Sequence, residues 1–532
     1  MATVREATFA FLREQGMTTV FGNPGSTELP FLEQFPEDFR YVLGLHEGVA
    51  VGMADGYAQA SGRPALVNLH TAPGVGNAMG AIFTAQANKS PLVITAGQQA
   101  RSLMTLQALL TNRDAARMPH PLVKWSYEPP RAQDVPHAIA RATHLAALPP
   151  RGPVFVSIPM DDWRAEVDED AVGHQTSRTV TGRAGADPER VRALAERLAA
   201  AANPVLVVGP DADASGAWDA AVELAERARL PVWAPPAAGG GRIGFPEDHA
   251  HFQGVLPPAV GPLSETLAGH DLIVVVGSQV FAYYPNLPGP LLPEGAALVA
   301  ITNDPDEAAR APMGDAIVAD VKLTLEALLA HVEPSDRPAP EPRAPAGPPE
   351  DYDPMSASAA IAALADVFPD EGIVVPESPA STGAIRNRMR VSRPGSYHFM
   401  SGGGLGFALP GSIGVQMAQP DRRVVCVLGE GSAQYAIQGF WTAAAYDVPV
   451  TFVILRNEEY AILKWFGEIE QVTGAPGLDL PALDVASVAE GYGVPSTRVD
   501  DPGALREALR DAIATDGPRL VEARVAPGMA LA

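Results

Sequence analysis

Apolar and polar residues alternate along the chain in short blocks, and the clearest block lies between residues 424 and 460. Two apolar, β-branched runs of strand length flank a helical pattern there. In order, the predicted elements are a strand at 424–428, a glycine-rich interruption at 429–432, a helix at about 435–446, a stop at 447–449 and a second strand at 450–455. Strands joined through a helix in this way lie parallel, so the loops that follow them emerge at one edge of the sheet. The pattern therefore predicts that Glu430 and Asn457 are neighbours.

The first 160 residues show the same rhythm, which is typical of an α/β domain. The predicted strands lie at 19–21, 41–45, 65–69 and 91–95, with a loop at 96–98 and a last strand within 152–159. The loops after the first three strands carry Ser26, Glu47 and His70, so we expect these side chains along one edge of one parallel sheet. A second strand that follows Gly-Pro, within 516–523, echoes 152–159 and indicates that the first and last domains share an architecture.

A third α/β region occupies the middle of the chain. Its predicted strands lie at 205–208, 232–234, 272–276 and 297–301, and none is followed by Gly-x-Gly-x-x-Gly, so a dinucleotide site there is unsupported. A polar, acidic stretch at 161–187 predicts a crossing linker, and a Pro- and Ala-rich stretch predicts an extended one. The predicted domains are residues 1–170, 185–332 and 355–532, with the extended linker at 333–354.

Composition narrows the class of protein. The 532 residues are 47% apolar and 19% charged, which describes a globular protein long enough for three domains. No apolar run reaches membrane-spanning length. The formal net charge of −24 argues against nucleic acid and anionic membranes as partners. Cys426 is the single cysteine, so no disulfide can form within the chain, and we expect a cytoplasmic protein.

The sheet edge at residues 429–432 and Asn457 has the chemistry of a metal-bridged diphosphate site. A carboxylate, a side-chain amide and backbone carbonyls are the oxygen ligands that Mg²⁺ prefers. Glycine amides, a serine hydroxyl and the start of a helix suit the phosphates. The alternative is an ordinary strand–helix turn, in which the glycines serve only tight geometry.

Gly429-Glu430-Gly431-Ser432 followed by Asn457 resembles the diphosphate motif of enzymes that use thiamin diphosphate (ThDP). Glu430 stands where that family has Asp, and Arg456 replaces the first of two Asn residues. Other stretches resemble the same family and, within it, the benzoylformate decarboxylases: VFGNPGS, LHEG, ADGYAQAS, GNAMGA, TAGQQ, LVKWSYEP, GGLGFALP and FWTAA. The resemblance spans nearly the whole chain. It implies three doubly wound parallel-sheet domains of α/β class: a pyrimidine-binding domain, a middle domain and a diphosphate-binding domain.

The resemblance also assigns roles to single residues. Glu47 would hydrogen-bond the pyrimidine ring of the cofactor, while Ser26 and His70 would be the polar pair on the substrate side, with His70 moving protons. The alternatives are a solvated loop acid at Glu47 and a structural histidine at His70. The implied cofactor contacts are Asn23, Glu47, Gly403, Leu405, Gly429, Gly431, Ser432, Tyr435, Asn457, Tyr460 and Ile462. The implied Mg²⁺ ligands are Glu430, Asn457 and the backbone carbonyl of Glu459.

An aryl pocket is implied as well, although its members could equally be core residues on composition alone. They are Leu110, Tyr284, Phe399, Leu463, Phe466 and Leu478, beside Ile462. Tyr284 stands nearest to the position where benzoylformate decarboxylases have a second histidine, and a tyrosine is a poor proton shuttle at neutral pH. Ile462 replaces a smaller residue, and Pro379-Ala380 replaces hydroxyl residues near the diphosphate.

These features predict a ThDP- and Mg²⁺-dependent enzyme that decarboxylates an aromatic 2-keto acid without oxidation. In this family the Glu47 domain of one chain faces the diphosphate domain of another, so we expect at least a homodimer, and a homotetramer above it. The first alternative is a carboligase or acyloin lyase on the same fold, favoured by Tyr284. The second is a cofactor-binding pseudoenzyme or regulatory subunit, suggested by Glu430 and Arg456 and opposed by the presence of Glu47, Ser26 and His70.

Overall fold

The computed structural model describes residues 2–236, 241–350 and 353–530, and within them it contains three parallel β-sheets flanked by helices. The predicted class, three doubly wound α/β domains, is confirmed. Among the described residues, no helix is both long enough and apolar enough to cross a membrane.

The first domain is built on a six-stranded parallel sheet of order β3-β2-β4-β5-β7-β6, and a short antiparallel pair, β1 with β8, lies outside it. Its strands are β1 (Ala2–Thr3), β2 (Thr19–Gly22), β3 (Arg40–Leu43), β4 (Ala65–Leu69), β5 (Leu92–Gln98), β6 (Ser126–Tyr127), β7 (Val154–Pro159) and β8 (Glu166–Val167). Its helices are α1 (Val4–Glu14), α2 (Leu29–Leu32), α3 (Glu47–Ser61), α4 (Thr71–Ala87), α5 (Arg101–Met104), α6 (Val135–Ala147) and α7 (Glu169–Thr176).

The middle domain carries a second six-stranded parallel sheet, of order β11-β10-β9-β12-β13-β14. Its strands are β9 (Pro204–Val208), β10 (Val232–Ala234), β11 (Phe252–Val255), β12 (Leu272–Val276), β13 (Ala297–Thr302) and β14 (Asp315–Val318). Its helices are α8 (Pro188–Ala200), α9 (Pro210–Ala214), α10 (Trp218–Ala228), α11 (Val260–Thr266), α12 (Pro305–Arg310) and α13 (Val321–Leu329).

The last domain has a five-stranded parallel sheet of order β15-β16-β17-β19-β18. Its strands are β15 (Ile373–Glu377), β16 (Val424–Gly429), β17 (Val450–Arg456), β18 (Ser496–Val499) and β19 (Arg519–Arg524). Its helices are α14 (Ala357–Ala365), α15 (Thr382–Arg388), α16 (Ala408–Ala418), α17 (Glu430–Ala433), α18 (Gly439–Ala445), α19 (Ala461–Ile469), α20 (Val485–Gly491) and α21 (Pro502–Ala514).

The two strands that follow Gly-Pro, β7 and β19, hold equivalent places in the first and last sheets. Each lies one strand inside the edge, next to the strand that precedes it in the chain. The echo seen in the sequence therefore reflects a shared topology.

The first and last domains also pack directly, because a β-carbon at Gly56 of α3 would lie 2.1 Å from the backbone oxygen of Gly411 in α16. Only glycine permits this approach of the two helices.

Three local predictions were wrong. The residues expected to form a loop at 96–98 continue β5, since β7 pairs with them as far as Gln98 and Pro159. The supposed linker at 161–187 contains β8 and α7, whose Val167 and Val172 are buried against the first domain. The helix expected at 435–446 is replaced by α17, which begins at Glu430, then a 3-10 turn at Gln434–Ala436, then α18. The predicted boundaries of the three domains stay predictions.

Candidate active site

The carboxyl end of the last sheet brings Glu430 and the loop after β17 together, as the pattern of strands predicted. Glu430 is the first residue of α17, and its Oε1 accepts the backbone N–H of Glu458 at 2.6 Å. Burial raises the pKa of its carboxyl group, and the surrounding backbone N–H groups oppose the shift. In the described chain no Lys, Arg or His forms an ion pair with Glu430, so this buried carboxylate is suited to a bound cation.

Asn457 and Glu459 lie on the loop after β17, on either side of Glu458. The Asn457 Oδ1 accepts the backbone N–H of Glu459 at 3.2 Å, and the left-handed backbone of Glu458 (φ 62°) turns the chain between them. The carboxylate of Glu459 is engaged by Lys464 and by the N–H of Gly528, which leaves the backbone carbonyl as the group it could offer to a metal. One carboxylate, one amide and one carbonyl form an all-oxygen set of the kind that Mg²⁺ uses together with a phosphate.

The described residues contain no group of three or more His, Cys, Asp or Glu side chains that could hold a metal. The predicted Mg²⁺ set, with one such side chain and two neutral oxygens, does not depend on a group of that kind. Arg456, which replaces an Asn of the family motif, is directed elsewhere, because its guanidinium pairs with Glu458 at 3.1 Å and Glu522 at 3.3 Å.

Two hydroxyl groups converge on Gly429 at the start of this turn. A β-carbon there would lie 3.6 Å from the Ser432 Oγ and 3.9 Å from the Ser378 Oγ. Sequence reasoning missed Ser378, which directly precedes Pro379 and Ala380 in the chain. Together with the backbone amides at the start of α17, these hydroxyls could hold phosphate oxygens.

The remaining predicted cofactor contacts surround this edge. Gly431 packs against the ring of Tyr460, where a β-carbon would lie 2.6 Å from the ring. Tyr435 is exposed in the 3-10 turn, and Ile462 is half-buried in α19. Gly403 has φ 73° and precedes the half-buried Leu405 in the loop that leads into α16.

The first sheet supplies a second group of polar side chains. Glu47 begins α3 and is buried, and its Oε2 accepts a hydrogen bond from Asn77 Nδ2 at 3.0 Å. Gly74 leaves room for that carboxylate, since a β-carbon there would lie 3.0 Å from Oε1. Ser26 is exposed in the turn after β2, and the backbone N–H of Asn23 in the same turn bonds to the Asn68 carbonyl at 3.3 Å.

His70 is held by a residue that sequence reasoning missed. Its Nδ1 lies 2.9 Å from Oε2 of the buried Glu28 and 3.1 Å from Oγ1 of Thr27. Glu28 also accepts the backbone N–H groups of Gly25 and Gly97, each at 2.8 Å. Because the Thr27 hydroxyl donates its proton to Glu28 at 2.7 Å, both groups that face Nδ1 are acceptors. Nδ1 therefore carries the proton, and Nε2 is the free acceptor of the neutral ring. Glu28 follows Ser26 by two residues, but this position does not distinguish it from the other acidic residues of the chain.

The predicted aryl pocket is only partly assembled within the chain. The rings of Tyr284 and Phe466 are in contact, with centroids 4.7 Å apart. The backbone carbonyl of Leu478 accepts the N–H of Tyr460 at 2.8 Å, so that residue also lies at this edge. Phe399 is buried beside Tyr397, and Leu463 is exposed. Leu110, with φ 72°, is half-buried in the first domain.

Comparisons with known proteins give matches in all three domains of the chain. Three descriptions of the thiamine pyrophosphate (ThDP) enzyme family match it: the N-terminal TPP binding domain over residues 2–118, the central domain over 191–328 and the C-terminal TPP binding domain over 380–523. The chain is 52% identical to the benzoylformate decarboxylase of Pseudomonas aeruginosa, over 98% of both sequences.

Two solved structures superpose on the whole chain. One is the ThDP-dependent 4-hydroxybenzoylformate decarboxylase of Rhodococcus jostii RHA1, with 47% identity and a TM-score of 0.96, and all of both chains is covered. The other is the benzoylformate decarboxylase of Polynucleobacter necessarius, with 41% identity, a TM-score of 0.96 and the same coverage.

The chain therefore belongs to the thiamine pyrophosphate enzyme family. Within that family it is a ThDP-dependent 2-keto acid decarboxylase similar to the benzoylformate decarboxylases, and the predicted family is confirmed.

Proposed function

We propose that the enzyme converts benzoylformate, or a closely related aryl 2-keto acid, to the aldehyde and CO₂ with ThDP and Mg²⁺ bound. The observation that carries this proposal is the presence of two complementary half-sites. One combines Glu47 with a histidine oriented by Glu28. The other combines neutral oxygen ligands with the buried Glu430, whose carboxylate pairs with no described Lys, Arg or His. The names of the full-length relatives support the aryl substrate.

The chain's own residues would divide the work as follows. Glu430, Asn457 and the carbonyl of Glu459 would hold Mg²⁺, and Ser378 and Ser432 would bind the phosphates. Glu47 would bind the pyrimidine ring of the cofactor. When bound, ThDP supplies the electron sink that accepts the bonding electrons as CO₂ departs.

His70 would carry the proton that the balanced reaction consumes. Benzoylformate and one proton give benzaldehyde and CO₂, so a proton must reach the former carbonyl carbon. With Nδ1–H directed at Glu28, the His70 Nε2 is free to take a proton from solvent and deliver it near the substrate. Ser26 would bind the substrate carboxylate or carbonyl through its hydroxyl group.

The test is CO₂ release from benzoylformate, phenylpyruvate, 2-ketoisovalerate and pyruvate, with ThDP and Mg²⁺ present or omitted. We expect benzoylformate to be turned over in a cofactor-dependent way. Glu47→Gln should lower this turnover by about 10²-fold or more, the usual contribution of proton-transfer groups. Bound cofactor without turnover of any acid would contradict the proposal.

We also infer that a second copy of the chain completes the site. Hydrogen bonds and ion pairs of Glu47, Ser26 and His70 in the described chain stay within the first domain, while those of Glu430 and Asn457 stay within the last. Exposed apolar side chains lie close in sequence to residues of both half-sites: Leu29, Leu45, Tyr435 and Leu463. A second copy that covered these side chains would place its diphosphate-binding domain opposite Glu47.

Mixing two inactive variants tests this arrangement. In a two-fold dimer, refolding Glu47→Gln together with Glu430→Gln leaves one intact site in each mixed dimer, so about a quarter of wild-type activity should return. Each variant refolded alone is the control. Activity that does not rise above the controls would show that both half-sites belong to one chain.

Carboligation is the second candidate, and the observation that favours it is Tyr284. The side chain that lies against Phe466 is a tyrosine instead of a histidine, and slower proton delivery would leave time for a second aldehyde to react. Acyloin formed from mixed aldehydes faster than CO₂ is released from any 2-keto acid would favour this function. The homotetramer and the cytoplasmic location stay predictions.

A further inference from the structure

Glu377, the last residue of β15, has no exposed surface, and among the described residues its side chain forms hydrogen bonds only with backbone N–H groups. Its Oε1 accepts the N–H of Gly406 at 2.7 Å, and its Oε2 accepts the N–H groups of Phe407 at 2.8 Å and Ala408 at 2.7 Å. This carboxylate thereby fixes the end of the 403–407 loop and the start of α16. Sequence reasoning gave Glu377 no role.

The charge of Glu377 sets it apart from most buried acids. Twelve Asp and Glu residues are buried in the described chain, and eight of them have a Lys, Arg or His partner. The four without one are Glu47, Asp55, Glu377 and Glu430. Glu47 and Glu430 belong to the two half-sites, and three neutral side chains donate to Asp55.

A buried carboxylate without a cation is unfavourable unless something compensates it. For Glu377 the three N–H groups and the positive end of the α16 dipole compensate in part. Even so, burial raises the pKa of the carboxyl group to about 7, against the opposing effect of those hydrogen bonds. The site is incompletely neutralised in the protein alone.

The position of Glu377 shows which cation would complete it. Glu377 pairs in register with Leu428 of β16, two residues before Glu430. The neighbouring Ser378 hydroxyl lies beside Gly429, and the loop that Glu377 holds contains Gly403 and Leu405. Glu377 therefore lies between the phosphate-binding turn and the loop expected beneath the cofactor. ThDP carries one fixed positive charge, on the thiazolium ring, which lies between its pyrimidine ring and its diphosphate.

We propose that Glu377 is a positioning residue whose negative charge is matched by the thiazolium ring of bound ThDP, so that it selects the charged cofactor as well as shaping the loop. This assignment rests on the cofactor site proposed above. The competing explanation is that Glu377 is only a cap for α16. Both explanations predict weaker cofactor binding after substitution, but only the first predicts a loss that depends on the charge of the ring.

The experiment compares ThDP with 3-deazathiamin diphosphate, a neutral isostere whose ring nitrogen is replaced by carbon. Binding of each to the apoenzyme, at saturating Mg²⁺, is measured by calorimetry for wild type, Glu377→Gln and Glu377→Asp. The exposed Asp370→Asn, from the turn before β15, is the matched control. The quantity of interest is the ratio of the two affinities, which requires no turnover.

For Glu377→Gln we expect the affinity ratio to shift against ThDP by about tenfold or more, the size of a lost hydrogen-bonded charge interaction. Glu377→Asp keeps the charge, so it should weaken both ligands while leaving the ratio within about twofold of wild type. An equal loss for both ligands in Glu377→Gln, or no loss, would reduce Glu377 to a helix cap. If Glu377→Gln does not fold, a shifted ratio in Glu377→Asp would overturn the proposal by itself. A failure of the proposed active site differs from both, because wild type would then bind neither ligand.

Discussion

The carboxyl edges of the first and last sheets use the same device, a buried glutamate held by backbone N–H groups, and direct it at different targets. Glu28 accepts two N–H groups and also contacts the imidazole of His70. Glu377 accepts three N–H groups and, in the part of the chain that the structure describes, forms no hydrogen bond with a titratable side chain. The first carboxylate thus controls a group that can move a proton, whereas the second controls the shape and charge of a binding loop.

The first and last domains would therefore have different functions in the proposed site. Proton transfer depends on the orientation and the tautomer of a single ring, so one wrong hydrogen bond can abolish it. Cofactor binding is distributed over many contacts, so each contributes less. Substitutions at the first edge should therefore lower kcat, and substitutions at the last edge should weaken cofactor or metal binding.

The largest effect is expected at Glu28. Glu28→Gln removes the charge that faces His70 Nδ1 and offers an amide N–H in its place, which favours the wrong tautomer of the ring. We expect kcat to fall by about 10²-fold with little change in KM, because His70 would lose the free acceptor on Nε2. Steady-state kinetics over a range of pH would measure this. Glu37→Gln, an exposed neighbour, is the control, and a kcat within twofold of wild type for Glu28→Gln would remove the proton-transfer role from this edge.

Asp55 holds Asn88, which bonds to the last domain, and the protonation of Asp55 should affect the stability of the protein. The Asp55 carboxylate accepts from Gln59 and Asn88 at 2.9 Å and from Ser90, and Asn88 in turn accepts the N–H of Ser401 in the last domain at 2.9 Å. Burial raises its pKa from 3.8 to about 6. A raised carboxyl pKa gives a stabilising contribution that is complete below about pH 4 and is lost as the pH rises through 6.

The expected loss is about 3 kcal/mol between pH 4 and pH 8. It is measured as the pH dependence of the free energy of unfolding of the apoprotein in urea, for wild type and Asp55→Asn. The variant cannot titrate at this position, so its curve should lack this decrease whatever its absolute stability. The exposed Asp511→Asn should follow wild type. Parallel curves for wild type and Asp55→Asn would mean that Asp55 stays ionised throughout.

Glu430→Gln should act on metal binding. The substitution keeps the shape of the side chain and its place at the start of α17 but removes the charge, so we expect Mg²⁺ affinity to fall by about tenfold or more. Titrating Mg²⁺ into apoenzyme and ThDP, with bound cofactor followed by tryptophan fluorescence, would measure it, and the exposed Glu470→Gln is the control. If kcat fell while Mg²⁺ affinity was unchanged, the last edge would take part in the chemistry and the division would fail.

The regular hydrophobic patterns of the sequence predicted most of the strands and the parallel sheets. Short β-branched runs identified the sheets, and the rule that parallel strands end at one edge correctly predicted that Glu430 lies near the Asn457 loop. The predicted ends of strands were wrong where pairing with a distant part of the chain determines them. Gln98 joins β5 because Pro159 lies beside it, and that partner is 61 residues away in the chain.

Glu28 and Glu377 could not be found from the sequence for a related reason. Their role is defined by backbone N–H groups that carry no sequence signature, such as those of Gly97 and Phe407. Nothing local distinguishes these two from the many exposed glutamates of an acidic chain. Their burial and their backbone partners appear only when the sheets are assembled.

The smallest effect is expected at Tyr284, where the middle domain reaches the edge of the last. Its ring packs on Phe466, while the side chain as a whole is 58% exposed and its hydroxyl group makes no hydrogen bond to the described residues. Tyr284→Phe retains the ring contact, so we expect kcat for CO₂ release and the ratio of acyloin to aldehyde to stay within about twofold of wild type. Tyr284→Ala, which removes the ring, is the comparison and should raise KM for aryl substrates. A tenfold fall in kcat for Tyr284→Phe would show that the hydroxyl group moves a proton, and proton transfer would then be shared between both edges of the site.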